Sequence, residues 1–443
     1  MTAPSVVHLT TSVAGGAGRA AARVHAALRA AGVGSTIYTA NRGPLWQPHV
    51  VGFDPSQRVT DVFRRNRRRN RIVADIARYR ATRTPGFDWF SDDRTDTAAG
   101  PLRRLPAADV IHLHWVTNFV DYDAMLPGLA RRAPLVWTVH DLNPLTGGCH
   151  YDAGCNRFTL DPGCGACPQL GSADPLDLSR DIWSRKRTAL ADVPSERMHV
   201  VACSEWTARQ VRASMLMNRF PLRVIPLSVD PTVFFPRDRA AARAVLGLPV
   251  DGAVVLFAAD SVANRRKGFA LLAAAVEGIG DDLGDVTLVS VGGDAAELPA
   301  RLGGARYVPL GYVTDDRLLA TAYSAADAFV IPSLQEAFGQ TALEAAACGT
   351  PAVGFDGGAL PEVIRDGRTG LIVPAGDVAG LRQAIVRLLV DDEERRGMGD
   401  AAVAVAREHH APAVLAERYV DVYRTATGEA AAASNPPVAG AAC

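Results

Sequence analysis

No apolar run in this chain approaches the ~18 residues that a bilayer-spanning helix needs, which excludes helical membrane spans. The first residues carry no basic stretch ahead of an apolar one and pass straight into a strand at Val6 to Leu9. No secretory signal is read, and the cytoplasm is the expected compartment. Excess charge of either sign is missing as well, with 47 Lys and Arg against 47 Asp and Glu. Overall charge therefore points to no polyanionic partner, and no motif supports binding to nucleic acid. Cysteine is sparse, seven in all, and three of them (Cys203, Cys348 and Cys443) are scattered. What is plentiful is apolar residue, 48% of 443 positions, the share of a globular protein long enough for two domains.

The most informative stretch is 327–374, DAFVIPSLQEAFGQTALEAAACGTPAVGFDGGALPEVIRDGRTGLIVP. Ala328 to Ile331 read as a buried strand, Pro332 and Ser333 as a turn, and Gly339 to Cys348 as a helix stopped by Gly349 and Pro351. Ala352 to Phe355 form the next strand, followed by a Gly-rich turn and the helix PEVIRDG. Strand and helix alternating at this spacing predict a parallel sheet with crossovers, which binds ligands at the carboxyl ends of its strands. Glu336 precedes the first helix and Glu344 lies inside it, eight residues on. That separation is at most ~12 Å along the axis, the length scale of a nucleotide sugar. The N–H groups of Phe338, Gly339 and Gln340 at the helix start suit a phosphate, and Gly339 lets it approach the backbone. A glutamate pair at fixed spacing is otherwise a common solvated helix face; its place at a strand-to-helix turn sets this one apart.

The string P-S-L-x-E-A-F-G-x-x-x-L-E-A-x-A-x-G-x-P, residues 332–351, resembles the donor-site signature of the family 4 retaining glycosyltransferases. The resemblance implies an α/β chain of the GT-B fold. Two Rossmann-like, doubly wound parallel-sheet domains would face a cleft, and a C-terminal helix would cross back to the first. The donor would lie on the second domain, with Glu336 on the sugar, Phe338 to Gln340 on the diphosphate and Glu344 on the ribose. The family carries an Arg and a Lys that grip the diphosphate. Lys267-Gly268 matches the Lys, whereas the Arg position holds Val262, so that Arg265 or Arg266 would serve instead. Val313 would meet the base through its backbone, which leaves UDP, GDP and ADP all open.

In the first half, VVHLTTSVAGGAGRAAARVHAALRAAGV reads as strand, Gly-rich turn and helix. By resemblance Gly15 and Gly16 face the cleft near the donor phosphates, and His140, at the end of LVWTVHD, contacts the donor sugar near the reacting carbon. The segment LSVDPTVFFP resembles the interdomain connector. The expected organisation is a first domain over 1–228, a second over 229–412, a closing helix over 413–426 and a disordered tail over 428–443.

Three features lie outside this frame. Residues 58–83 interleave apolar positions with Arg64, Arg65, Arg67, Arg68, Arg69, Arg71, Arg78, Arg80 and Arg83. They form either a solvated helix face or a patch for an anionic membrane surface or a pyrophosphate-linked lipid. In DVIHLHW, His112 and His114 share one face of a strand and read as locally bonded core histidines in preference to a metal pair. Cys149, Cys155, Cys164 and Cys167 fall within nineteen residues, and the last two make a C-x2-C knuckle. A structural zinc ion is expected there over disulfides or unligated thiols, with His150 able to replace one ligand. The surrounding W-T-x-H-D-x-x-P-x-T-G-G-C-H-Y resembles a family 4 subset of bacterial polysaccharide (colanic-acid-like) biosynthesis.

The activity implied is transfer of a sugar from a nucleoside-diphosphate sugar to an acceptor hydroxyl, retaining the anomeric configuration by front-face attack. The acceptor would be a sugar, a lipid-linked sugar or a small molecule, in cell-surface or exopolysaccharide synthesis. Neither a protein nucleophile nor a catalytic metal is expected, because cationic side chains would neutralise the diphosphate. The alternatives are a nucleotide-sugar 2-epimerase, which acts on the donor alone, and a non-catalytic sugar-nucleotide binding subunit.

Overall fold

The computed structural model describes residues 3–40, 48–259, 263–293 and 298–429. Val262 and the tail from 430 onward lie outside the described residues.

Seven parallel strands form the first sheet: β1 (Val6–Thr10), β2 (Ser35–Thr39), β3 (Val50–Gly52), β4 (Val110–Leu113), β5 (Leu135–Val139), β6 (Met198–Ala202) and β7 (Leu222–Val224). Their order is β3-β2-β1-β4-β5-β6-β7. The second sheet has six, β8 (Ala253–Ala259), β9 (Val286–Gly292), β10 (Arg306–Pro309), β11 (Ala328–Ile331), β12 (Ala352–Phe355) and β13 (Gly370–Val373), in the order β10-β9-β8-β11-β12-β13. Every residue of β1, β4, β5, β11 and β12 is buried, which is why these strands read as unbroken apolar runs instead of alternating ones. Strand order reverses between β1 and β4 and again between β8 and β11, so each sheet has a switch point, and the carboxyl ends there form the natural binding crevice.

The helices that bear on the site are α1 (Gly15–Ala30), α2 (Val59–Ala77), α3 (Leu178–Ala191), α4 (Glu205–Ala213), α5 (Gln340–Ala347) and α6 (Pro412–Ala426). Helix α6 opens with Pro412 at a first-turn position, where a missing N–H costs nothing. It buries Leu415, Ala416, Tyr419, Val422 and Tyr423 at helical spacing in one cluster with Val24 and Leu28 of α1 and Val136 of β5. Tyr419 Oη is 2.9 Å from Thr138 Oγ1, and Tyr423 Oη is 2.8 Å from His112 Nδ1. Helix α6 therefore returns the chain to the first sheet. The architecture is the expected one: α/β, with two doubly wound parallel-sheet domains across a cleft.

Contacts across the cleft are specific. Ser204 Oγ donates to Ala337 O at 2.7 Å, and the N–H groups of Glu205 and Trp206 at the start of α4 each donate to the Glu362 carboxylate at 2.7 Å. An anion at a helix N-terminus is favoured by the unpaired N–H groups and the dipole, so this carboxylate fastens the two domains together.

Candidate active site

The cleft holds a cavity of about 190 Å³ over the carboxyl ends of β8 and β11. Its second-domain wall carries Lys267, Val313, Glu336, Gly339, Gln340 and Glu344, and Gly15, Gly16 and Arg19 face it from the first domain. Local chain geometry explains the placement. Gly339 caps α5 at φ +96°, and a Cβ there would come within 2.7 Å of Leu360 Cδ2, so only glycine lets the helix begin at this point. The Glu336 backbone is locked by Ala359 N–H donating to its carbonyl at 2.8 Å, which aims its side chain inward.

Both glutamates are buried and paired. Lys267 Nζ lies 2.7 Å and Arg266 Nη1 3.1 Å from Glu336 Oε1. Burial raises this carboxyl, but Lys267 and Arg266 outweigh burial and hold it down at about 2, so Glu336 is an anion at any physiological pH. Glu344 accepts from Arg23 Nη2 at 2.6 Å and from Tyr323 Oη at 3.2 Å. Gln340, with its amide oxygen turned to Arg23, donates to Gly16 O at 3.1 Å and so links α5 to the glycine turn of the first domain.

The structure brings Gly15, Gly16, Lys267, Val313, Glu336, Gly339, Gln340 and Glu344 to one cavity. It does not bring Arg265, Arg266, His140 or the Phe338 side chain into that lining. Phe338 is core, 5% exposed and edge-on to His410. Arg265 and Arg266 line a second cavity of about 430 Å³ with Asp88, Tyr151, Gln335 and Trp206. Arg266 is held there by Asp88 (2.7 Å) and Gln335 O (2.8 Å) and lies 3.8 Å over the Tyr151 ring. The arginine that reaches the first cavity is instead Arg19 of α1. Arg19 and Arg23 follow the glycine turn at four-residue spacing on one helix face, a pattern present in the sequence whose meaning depends on α1 facing the second domain.

His140 is half-buried at the end of β5, with Nε2 3.1 Å from His114 Nδ1. Burial lowers it to about 4 against the opposing pull of Asp141, which leaves a neutral ring at pH 7. Asp141 is taken by Trp115 Nε1 (2.9 Å), His150 Nδ1 (2.7 Å) and Asn143 N–H (2.9 Å). Among the described residues, His8, His112 and His114 alone form a trio of ligand atoms within 4.8 Å of one another. All six of their ring nitrogens already hydrogen-bond, to one another, to His140, Ser35 and Thr138, and to Tyr423. They are locally bonded core histidines.

Cys149, Cys155, Cys164 and Cys167 are free thiols that line one small cavity. Gly147 N–H donates to Cys164 Sγ at 3.1 Å, and Leu170 N–H donates to the Cys167 carbonyl at 3.1 Å. Burial pushes the Cys164 thiol up to about 12 and Cys149 well above its ordinary value. No three of the four sulfurs lie within 4.8 Å of one another, so they are grouped without forming a closed tetrahedron, and no disulfide joins them. His150 is not a spare ligand, because its ring nitrogens are held by Asp141 (2.7 Å) and Ser91 Oγ (2.8 Å). Beneath this loop the fully buried Lys186 of α3 donates to Asn143 O (2.6 Å) and Thr146 O (3.1 Å), fixing the stretch between Asp141 and the first cysteine.

Residues 14–233 match the family described as Glycosyltransferase Family 4, and residues 252–391 match Glycosyl transferases group 1. A D-inositol 3-phosphate glycosyltransferase of Acidothermus cellulolyticus is 37% identical over 406 residues, 81% of this chain and 86% of that protein. One from Nocardia farcinica is 32% identical over 317 residues; these make up 69% of this chain and 64% of the relative's length, so that relative is spanned only in part. Among solved structures, sucrose-phosphate synthase from Thermosynechococcus elongatus has a TM-score of 0.65 at 21% identity, covering 96% of this chain and all of that one. Anabaena HepE, solved with UDP-glucose, has a TM-score of 0.64 at 17% identity and covers 95% and 99%. At such identities the likeness establishes the fold. The two family matches and the Acidothermus relative establish the rest: this chain belongs to the family 4, group 1 glycosyltransferases.

Proposed function

We propose that the protein transfers a sugar from a nucleoside-diphosphate sugar to an acceptor hydroxyl with retention of anomeric configuration. The observation that carries this reading is the meeting of Lys267, Glu336, the start of α5 and Glu344 in one cleft cavity faced by Gly15, Gly16 and Arg19. The acceptor oxygen attacks the reacting carbon on the face from which the diphosphate departs. A new C–O bond forms, the bond to the diphosphate breaks, and a donor phosphate oxygen takes the acceptor proton. Lys267, Arg19 and the N–H groups at the start of α5 supply positive potential where the leaving group gathers charge. Glu336 takes sugar hydroxyls, Glu344 the ribose, the Val313 backbone the base, and His140 supports the reacting end. The second cavity, with Asp88, Tyr151 and Trp206 from the first domain and Arg265 from the second, is assigned to the acceptor.

UDP is the first nucleotide to test, because HepE was solved with UDP-glucose. The acceptor panel contains an inositol phosphate, after the relatives' names, beside oligosaccharide and lipid-linked acceptors. A polysaccharide role, a cytoplasmic location, a domain boundary at 228/229 and peripheral membrane contact through Arg64 to Arg83 belong to the same proposal. No helix among the described residues is long and apolar enough to cross a membrane. Surface contact is supported by Val59, Phe63 and Val73, all exposed among the arginines of α2. The test is product analysis with UDP-, GDP- and ADP-sugars, with and without acceptors. Product formed only with acceptor, and bearing the donor's anomeric configuration, is expected. An epimerised donor formed without acceptor, or binding with no turnover across the panel, would replace this reading with one of its alternatives.

For the cysteine loop we propose a structural zinc site. Four free thiols on one cavity and the Gly147 N–H aimed at Cys164 support it. Tetrahedral ligation would draw the sulfurs in to about 3.8 Å from one another. Elemental analysis should find one zinc per chain, lost in Cys167→Ser; a zinc-free protein of full stability would refute the site.

A further inference from the structure

The second cavity, of about 430 Å³, shares a wall with the first: Glu336 lines one, Arg266 lines the other, and the two side chains meet at 3.1 Å. Two glutamines of its lining have the nitrogen of the amide engaged and the oxygen not. Gln335 Nε2 donates to Asp152 Oδ1 at 2.8 Å, and Gln169 Nε2 donates to Tyr151 O at 2.5 Å. A carboxylate and a backbone carbonyl can only accept, so each partner holds the amide nitrogen toward itself and leaves the oxygen turned away. Both oxygens are buried, and neither has a hydrogen-bond partner among the described residues. Gln169 as a whole is 2% exposed.

The charges of the lining, by contrast, are paired or balanced. Arg266 donates to both oxygens of Asp88, to Gln335 O and to Glu336, and Asp88 accepts a further bond from Asn264 Nδ2 at 2.8 Å. Outside that cluster stand Arg265 and Asp356, both exposed and of opposite sign. An anionic ligand group would be taken out of water with no unpaired buried cation to meet it, which costs far more than burying a hydroxyl that finds an acceptor. The lining also presents the half-buried aromatic side chains of Phe87 and Trp206. Unmet buried acceptors call for O–H donors, and aromatic rings call for an apolar face. A pyranose ring carries both, with hydroxyls around its edge and C–H groups on its faces.

We propose that this cavity selects an uncharged saccharide as the acceptor, its ring hydroxyls donating to Gln169 Oε1 and Gln335 Oε1 and its C–H face lying on Trp206. That the saccharide is the acceptor, and not merely a ligand, rests on the glycosyl-transfer reading above. A donating hydroxyl relieves a buried amide oxygen of its missing partner, whereas a phosphate dianion brings only acceptor oxygens and leaves it unpaired. The cavity therefore favours a plain sugar over a phosphorylated polyol that has hydroxyls of its own. Tyr151 and Asp152, which orient the two amides, both belong to the cysteine loop, so that loop acts on the acceptor through Gln169 and Gln335.

Binding, read by saturation-transfer NMR on the whole protein, tests this without requiring turnover. The probes are the methyl glycosides of glucose, galactose and mannose, myo-inositol 1-phosphate, and inorganic phosphate. At least one methyl glycoside is expected to bind, to resist displacement by excess phosphate, and to lose about 5-fold in affinity in Gln335→Met with nucleoside-diphosphate binding unchanged. On the wild-type protein, at least one monodeoxy analogue of that glycoside is expected to bind about 5-fold more weakly, a readout that does not depend on how the variant folds. Absence of glycoside binding, binding confined to the inositol phosphate, or displacement of the glycoside by phosphate overturns the saccharide assignment. Full affinity in Gln335→Met together with full affinity of every deoxy analogue overturns it as well. If a glycoside binds as expected and none of UDP-, GDP- or ADP-glucose is turned over in its presence, the glycosyl-transfer reading fails while the saccharide site stands.

Discussion

At the scale of single residues, the second-domain cation that lines the cavity is Lys267, whose Nζ lies 2.7 Å from Glu336. An ammonium is a compact point charge suited to a phosphate, and Arg266 beside it is already held by Asp88 and Gln335. Lys267→Ala should therefore lower kcat by about 10²–10³, the range seen when one preorganised group that stabilises a developing anion is removed. Steady-state kinetics check this, and a loss confined to KM would show that Lys267 binds without stabilising the transition state. Glu336, Glu344, Lys267 and Gly339 were legible in the sequence because motif and strand-to-helix spacing lie within one local segment. Arg19, Arg23 and Asp88 were not, because their roles exist only where one domain meets the other. That Arg265 and Arg266 line the second cavity was hidden for the same reason: a turn of basic residues gives no sign of which cation faces which cavity.

Among the elements, β11 and β12 fall at the residues expected from their flanking turns, and the helix between them starts one position later because Gly339 turns to φ +96°. The helix expected at PEVIRDG shortens to Leu360–Val363, since the chain must turn at Gly367 (φ +68°) to enter β13. Helix α6 is the element that returns from the second domain to the first sheet, and Tyr423 fastens it at His112. Tyr423→Phe leaves the buried His112 Nδ1 without a partner and should cost about 1–3 kcal/mol in urea denaturation. A change below about 0.5 kcal/mol, the usual size of a neutral surface substitution, would mean that packing alone anchors the helix. The cysteine loop marks the limit of local reading: spacing foretold that the thiols gather, but not how far apart the sulfurs stand.

For the whole molecule, proton uptake links stability to the histidine row. His8 is lowered to about 3 and His25, His140 and His410 to about 4, in each case chiefly by burial. An unfolded histidine titrates near 6.5, so between about pH 6.5 and 4 the unfolded chain binds protons that the folded chain refuses. The stability from these groups is complete above pH 6.5 and is lost as pH falls, by up to about 1.4 kcal/mol per pH unit for each. Glu336, held at about 2, adds to the loss only below its ordinary 4.5. Urea titrations from pH 8 to 5 should show a steep decline below 6.5; a flat profile down to pH 5 would mean that the row protonates without strain.

Closure across the cleft is the other property of the whole. Arg23 holds Glu344 at 2.6 Å, and the cavity of about 190 Å³ is smaller than the ~300–1,000 Å³ usual for ligand sites. On the proposed reading a donor parts Arg23 from Glu344 as it enters.

Calorimetric titration of UDP-, GDP- and ADP-glucose into the wild-type protein, Glu344→Ala and Lys267→Ala tests the assignment most directly. One nucleotide class should bind the wild type and lose at least about 10-fold in affinity in each variant, the size of one charged hydrogen bond. Failure of all three to bind, or binding that survives both substitutions, would contradict the donor site and with it the account of this cleft.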